Sequence, residues 1–318
     1  MRDAGLFCTT AAVVLAAAPL AATQAGTPSS KRGLVYVVTE DNAADDAVWT
    51  TAAGASELTW YYNYEVQPTA SLKNTDLNFV PMLWGTSDKD DSAGSTDFLD
   101  AVRALVKGGA NITHVLGFNE PDGSTSTGGS NIPADLAAST WIREIEPLRA
   151  DGIKVGAPAV TGSETGFQWL QNFFTACDGR CTPDFVPVHW YGSFEGFASH
   201  LGQMAATYPN MSEVWVTEFA YSNVDLDESQ AFFNQSMDYL DKMENCTRYS
   251  WFGSFRSSVS NVGENAAMLN SKGKLTDLGS WYLGKSATGV EPDSAAGRST
   301  VFAGWSLLVG LVTTYAVM

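Results

Sequence analysis

His114-Val115-Leu116-Gly117-Phe118-Asn119-Glu120-Pro121-Asp122 is a short apolar run that stops at a carboxylate. Further along, Val214-Trp215-Val216-Thr217-Glu218-Phe219-Ala220-Tyr221 has the same form. Glutamate is rarely buried unless it is paired. A buried strand whose end opens on a pocket resolves that conflict, so both runs read as strands ending at a site.

The same pattern extends outward through the chain. Strand candidates are Leu34–Val38, Leu58–Tyr62, Asn78–Leu83, Ile112–Phe118, Lys154–Ala157, Phe185–Trp190, Val214–Thr217 and Tyr249–Phe252. Helical stretches fall between most of them, at Thr96–Lys107, Pro133–Ala150, Gly166–Ala176, Phe194–Tyr208, Leu226–Met243 and Lys274–Leu283. Strands alternating with helices imply parallel pairing and an α/β class. Eight such units in one domain favour a single compact (β/α)8 TIM barrel over an open doubly wound sheet. In that barrel the C-terminal strand ends converge on one mouth. Glu120 would end strand four and Glu218 strand seven, so the two carboxyls would meet there.

Two carboxyls at one mouth are the minimum equipment for cleaving a glycosidic bond. Asn119, beside Glu120, can offer an amide donor to a sugar hydroxyl or a carboxylate. Ten Trp is a high count, and Trp60-Tyr61-Tyr62-Asn63-Tyr64, Trp84, Trp190-Tyr191, Tyr221 and Trp251 fall at or near strand ends. Aromatic faces there suit the apolar faces of pyranose rings. The expected substrate-binding set is Asn119, Trp60, Tyr62, Asn63, Trp84, His189, Tyr191, Tyr221 and Trp251. His189 and Tyr191 share one strand face because side chains alternate. Trp49, Trp169 and Trp281 lie outside that pattern and read as core or surface. Glu65, Asp122 and Glu195 also lie near strand ends and compete for the carboxylate roles, although Asp122 reads as a turn or cap residue.

Other chemistries lack their residues. No Gly-x-Ser-x-Gly elbow is present. Thr125-Ser126-Thr127-Gly128-Gly129-Ser130 reads as a flexible loop without a phosphate loop's lysine. With only His114, His189 and His200, no metal-ligand spacing exists, so neither metal nor cofactor is expected. The formal charge of −17 disfavours nucleic acid, whose phosphates need a basic surface.

The remaining segments address location. Residues 1–25 read as a secretory signal peptide carrying Cys8. Residues 26–32 read as a short propeptide-like segment, ending at Lys31-Arg32, or as a segment with an ordinary surface pair. The catalytic domain is expected over 33–285, followed by a small, polar spacer over 286–300. The apolar tail over 301–318 fits a glycosylphosphatidylinositol anchor signal, with a spanning helix as the alternative. In an oxidising compartment Cys177 and Cys181 form a small-loop disulfide, and Cys246 is left as a buried thiol. Asn111, Asn210, Asn234 and Asn245 stand in glycosylation sequons. A secreted monomer at the cell surface or wall is expected, touching membrane only through the anchor.

The four segments 60–64, 82–85, 117–122 with 189–192, and 215–220 together resemble glycoside hydrolase family 128, endo-β-1,3-glucanases related to fungal alkali-sensitive-linkage wall proteins. The resemblance implies a (β/α)8 barrel that hydrolyses β-1,3-glucan with retention. It implies Glu120 as acid/base and Glu218 as nucleophile. Tyr64 stands where many relatives carry Trp. A glucan transglycosylase and a non-catalytic glucan-binding wall protein are the alternatives. Because two close carboxylates do not both ionise easily, the acid/base is expected to hold its proton above the ordinary carboxylate range.

Overall fold

Every strand pair among the described residues is parallel. A computed structural model describes residues 29–39, 42–52, 56–86 and 94–293. The signal peptide, the start of the 26–32 segment, the end of the spacer and the 301–318 tail lie outside the described residues.

The strands are β1 (Gly33–Val35), β2 (Trp60–Tyr62), β3 (Asn78–Phe79), β4 (His114–Val115), β5 (Lys154–Val155), β6 (Phe185–Tyr191), β7 (Glu213–Ala220) and β8 (Cys246–Trp251). The helices are α1 (Asn42–Ala52), α2 (Asp97–Lys107), α3 (Ala134–Glu144), α4 (Glu164–Cys177), α5 (Phe194–Thr207), α6 (Leu226–Lys242) and α7 (Asp277–Tyr282). The α/β class and the strand order match the expectation. The first half is more broken than expected. Three small sheets form, β1-β2-β3, β4-β5 and β6-β7-β8, instead of one continuous closed sheet. Single parallel bridges lie between the sheets, at Met82–Leu116, Gly156–Phe185 and Arg32–Tyr249. Sheets meet closely at such points: a Cβ on Gly156 would sit 2.9 Å from the Phe185 ring.

Local chemistry sets the helix starts. Ser163, Ser193, Asp225 and Thr276 each accept a backbone N–H three residues on, satisfying donors that the first helical turn leaves free. Helix α2 buries Phe98, Leu99 and Val102 on one face, the spacing an amphipathic helix requires. The Pro133–Ala150 expectation splits, because α3 stops at Glu144 and a 3-10 stretch over Glu146–Asp151 carries Pro147 in its first turn. Helix α1 was not expected.

The interior is aromatic. Trp60, His114, Phe185 and Trp215 pack together, with the Arg248 guanidinium 4.4 Å from the Trp215 ring centre and 5.5 Å from that of Trp60. Burial and the Arg248 charge push His114 down to about 4, so this half-buried imidazole stays neutral near pH 7. Cys177 and Cys181 are joined by a disulfide with Cα atoms 5.5 Å apart, and Cys246 is a free, buried thiol. Asn111, Asn210 and Asn234 are exposed and Asn245 is half-buried.

Lys31 is half-buried and Arg32 buried, so they are not an exposed surface pair. The Lys31 ammonium donates to the carbonyls of Leu240, Asp241 and Met243 at 2.9–3.0 Å, at the end of α6. Arg32 is buried, pairs with Glu57 at 2.5 Å, and donates to Tyr249 and to the carbonyls of Trp281 and Tyr282. The pair ties the first strand to the ends of α6 and α7. No helix among the described residues is long and apolar enough to cross a membrane.

Candidate active site

Glu218 lies inside β7, which runs three residues beyond its expected end. The register against β6 shifts here: Val188 pairs with Val216, but His189 pairs with Glu218. Thr217 is therefore the extra residue of a β-bulge, a device that re-aims side chains beside active sites. The bulge sets Glu218 opposite His189.

Glu120 lies past the end of β4, with a left-handed backbone at φ +40°. Non-glycine residues seldom adopt that region, and such strain clusters at functional sites. Hydrogen bonds on both sides hold it. The Asn119 N–H donates to the Trp84 carbonyl at 2.9 Å, and the Glu120 N–H donates to the Ala159 carbonyl at 2.7 Å. The Thr125–Ser130 segment, expected to be flexible, is folded against this point. The Ser130 N–H donates to the Asn119 carbonyl, and a Cβ on Gly129 would lie 2.7 Å from the Glu120 carbonyl oxygen. Only glycine fits there. Asp122, a rival for the carboxylate role, instead accepts the Thr161 N–H and hydroxyl and braces the neighbouring loop. Glu65 and Glu195, the other rivals, are exposed.

The three side chains converge. His189 Nδ1 is 3.0 Å from Glu120 Oε1 and 3.5 Å from Glu218 Oε2. One ligand-type atom from each of Glu120, His189 and Glu218 lies within 4.8 Å of the others. Spacing in the sequence does not reveal this trio, which also has the makings of a cation site. Tyrosine hydroxyls take up the Glu218 oxygens, while the buried His189 Nε2 has no partner among the described residues. Glu218 Oε1 accepts the Tyr64 hydroxyl at 2.7 Å and the Tyr62 hydroxyl at 3.4 Å, and Oε2 accepts the Tyr191 hydroxyl at 2.5 Å.

Electrostatics follow from this burial. The Glu218 carboxyl is raised above the usual carboxylate range, first by burial and then by the Glu120 charge, while His189, Tyr191 and Tyr64 pull it back. The Glu218 side chain is the more deeply placed of the pair, 6% exposed against 13% for Glu120. For His189, burial lowers the pKa, but the Glu218 charge and the Glu120 hydrogen bond outweigh it and leave the imidazole raised. Tyr62, Tyr64 and Tyr191 are held well above 10 by burial and by the Glu218 charge, so they remain neutral O–H donors.

The expected binding residues divide. Tyr62, His189 and Tyr191 sit on the carboxylates. Asn119 is buried beside Glu120. Its amide donates to the Gly128 carbonyl at 3.1 Å, while its Oδ1 has no partner among the described residues. Its spare capacity is thus that acceptor together with the second N–H of the amide. Trp84 and Tyr221 are half-buried, Tyr221 packing on Phe232. Trp60 and Trp251 are corrections. Both are fully buried, with their indole N–H groups spent on the carbonyls of Lys31 and Ala266. Asn63 is also corrected, since its amide is consumed by Gln67, Thr69 and the Glu65 N–H. Tyr64 was missed as a site residue.

Comparison with known proteins agrees with this geometry. Residues 33–282 match the family model described as the glycosyl hydrolase catalytic core. The chain is 31% identical over 265 residues to alkali-sensitive linkage protein 1 of Schizosaccharomyces pombe, covering 80% of this chain and 44% of that protein. The chain thus spans under half the length of that relative. Among solved structures, it superposes with a TM-score of 0.62 at 28% identity on a subgroup III, curdlan-specific exo-β-1,3-glucanase of glycoside hydrolase family 128 from Blastomyces gilchristii, solved with glucose. That match covers 81% of this chain and 99% of the other. A mutant subgroup I endo-β-1,3-glucanase of the same family from Amycolatopsis mediterranei, in complex with laminarihexaose, gives a TM-score of 0.56 at 26% identity, covering 77% and 97%.

Proposed function

The chain belongs to glycoside hydrolase family 128, and from that premise we propose that it is a retaining endo-β-1,3-glucanase with Glu218 as nucleophile and Glu120 as acid/base. One observation carries the reading: Glu120 and Glu218 each bring a carboxylate oxygen within 4.8 Å of the other. Retaining glycosidases hold their carboxyls about 5–5.5 Å apart, and inverting ones about 6.5–9.5 Å apart to admit a water. In the first step a Glu218 oxygen attacks the anomeric carbon, the glycosidic C–O bond breaks, and Glu120 protonates the departing oxygen. Water then attacks the glycosyl-enzyme while Glu120 takes its proton, and Glu218 leaves as carboxylate.

The surrounding groups suit those roles. Attack needs Glu218 ionised, and three tyrosine hydroxyls with His189 favour that form against its burial. Glu120 is the more open of the two, which suits an acid that must reach a leaving group. His189 bridges the pair and can follow the proton as it moves. The bridges between the three sheets support a (β/α)8 ring around this centre. The Cys177–Cys181 disulfide and the sequons support work outside the cell.

Incubating the protein with laminarin, with and without EDTA, and separating the products tests this reading. A ladder of shorter oligosaccharides, unchanged by EDTA, is expected early in the reaction. Glucose alone would indicate attack from chain ends. Products longer than the donor would indicate a transglycosylase, and binding without cleavage would indicate a glucan-binding wall protein. Loss of activity in EDTA would move the mechanism to a metal.

A further inference from the structure

Tyr64 has a backbone that a tyrosine adopts only under constraint. Its φ is +64°, in the left-handed region, and non-glycine residues are uncommon there. The residue before it supplies the constraint. Asn63, buried, accepts the Glu65 N–H at 3.2 Å through Oδ1. Its Nδ2 donates to the Gln67 carbonyl at 2.9 Å and to the Thr69 hydroxyl at 3.0 Å. An asparagine side chain that takes a backbone N–H two residues on folds the chain into an Asx turn. The turn is anchored in turn by the Met82 N–H, which donates to the Glu65 carbonyl at 3.1 Å.

The outcome is a reach that a strand continuing from β2 would not have. Tyr62, on β2, points its hydroxyl to the Thr217 carbonyl at 3.0 Å and only grazes Glu218 Oε1 at 3.4 Å. Tyr64 packs edge-on against the Tyr62 ring and delivers its own hydroxyl to the same oxygen at 2.7 Å. Hydrogen bonds to an ionised acceptor are shorter and stronger than neutral ones.

We propose that Tyr64 is a positioning residue for Glu218, and that Asn63 sets it by fixing the left-handed turn that aims its hydroxyl at Oε1. The groups facing Glu218 are then accounted for on every side. Tyr62 and Tyr64 come from β2 and its turn, His189 and Tyr191 from β6, and Glu120 from beyond β4. Asp122 acts on this set through its charge on His189. Tyr64 and Tyr191 take one oxygen each. They fix the carboxylate plane as well as favour its ionised form.

The inference rests on the proposed role of Glu218 in catalysis, but its test does not. In protein labelled with ¹³C at the glutamate carboxyl carbon, the Glu218 resonance is followed against pH in the wild type, Tyr64→Phe, Asn63→Ala and the double variant. Tyr64→Phe keeps the ring and removes only the donor. It should raise the Glu218 titration midpoint by about one pH unit, the size expected of one hydrogen bond to a charged group. The sign follows because the lost bond favoured the ionised form. Asn63→Ala should raise it in the same direction, and the double variant should move no further than Tyr64→Phe, since one residue acts through the other. If the protein cleaves glucan, the acid limb of kcat/KM should move by the same amount while the alkaline limb stays.

A Tyr64→Phe midpoint equal to wild type would overturn the proposal. So would shifts that add in the double variant, because Asn63 would then act independently. Both outcomes can be read in a protein with no glucanase activity, so failure here is distinct from failure of the proposed function.

Discussion

Glu218→Gln should reduce glucan turnover by at least about 10⁴-fold in kcat, the scale of losing a covalent nucleophile. Binding of laminarin oligosaccharides should stay within a few-fold. Gln keeps the shape and volume of Glu, so the bulge and the strands around it are not asked to repack. Its amide oxygen is not a nucleophile, and its NH₂ now meets a tyrosine hydroxyl that must rotate to accept. Hydroxyls make that adjustment easily, so folding should survive, and an unchanged thermal midpoint serves as the control. Rates from purified variant and wild type on laminarin, with binding by calorimetry, check the expectation. Near-normal turnover would remove Glu218 from its role.

Glu120→Ala should have the second-largest effect, about 10²–10⁴-fold on an unactivated substrate, the usual range for a general acid/base. The loss should be smaller on an aryl glucoside whose leaving group departs without a proton. With such a substrate the first step proceeds, and the glycosyl-enzyme accumulates because no base activates water. Azide needs no base and fits the space the carboxyl vacates. It should restore part of the rate and yield a β-glycosyl azide, detectable by mass spectrometry and NMR. An α-glycosyl azide would mean that the displacement comes from the other face. Unaltered activity would assign the acid role elsewhere.

The two carboxylates were legible because each ends an apolar run, a pattern that costs too much unless a pocket receives the charge. Parallel pairing was legible from alternating strands and helices. The depth of the aromatics was not. Trp60 and Tyr62 lie on one face of β2 and stack with ring centres 6.0 Å apart. A strand rises about 3.3 Å per residue, so two residues separate the floor of the interior from the level of Glu218. A string such as Trp60-Tyr61-Tyr62 shows which residues share a face and not which one reaches the site. Tyr64 was hidden for another reason. Strand alternation does not extend past β2, because the Asx turn of Asn63 breaks the period and sends Tyr64 back toward Glu218. Asn63 was read as a sugar ligand because an amide near a strand end has two uses, and its local one was invisible without the turn. The β7 bulge is likewise unmarked in Val214-Trp215-Val216-Thr217-Glu218. It arises from pairing with β6 and not from any residue preference.

The central claim is that Glu120 and Glu218 cleave β-1,3-glucan through a covalent intermediate. Proton NMR of laminarin digestion, recorded in the first minutes before the anomers interconvert, tests it most directly. Two inversions at the anomeric carbon predict that the newly formed reducing ends appear as the β anomer and drift to the equilibrium mixture afterwards. Reducing ends that appear first as the α anomer would contradict the account.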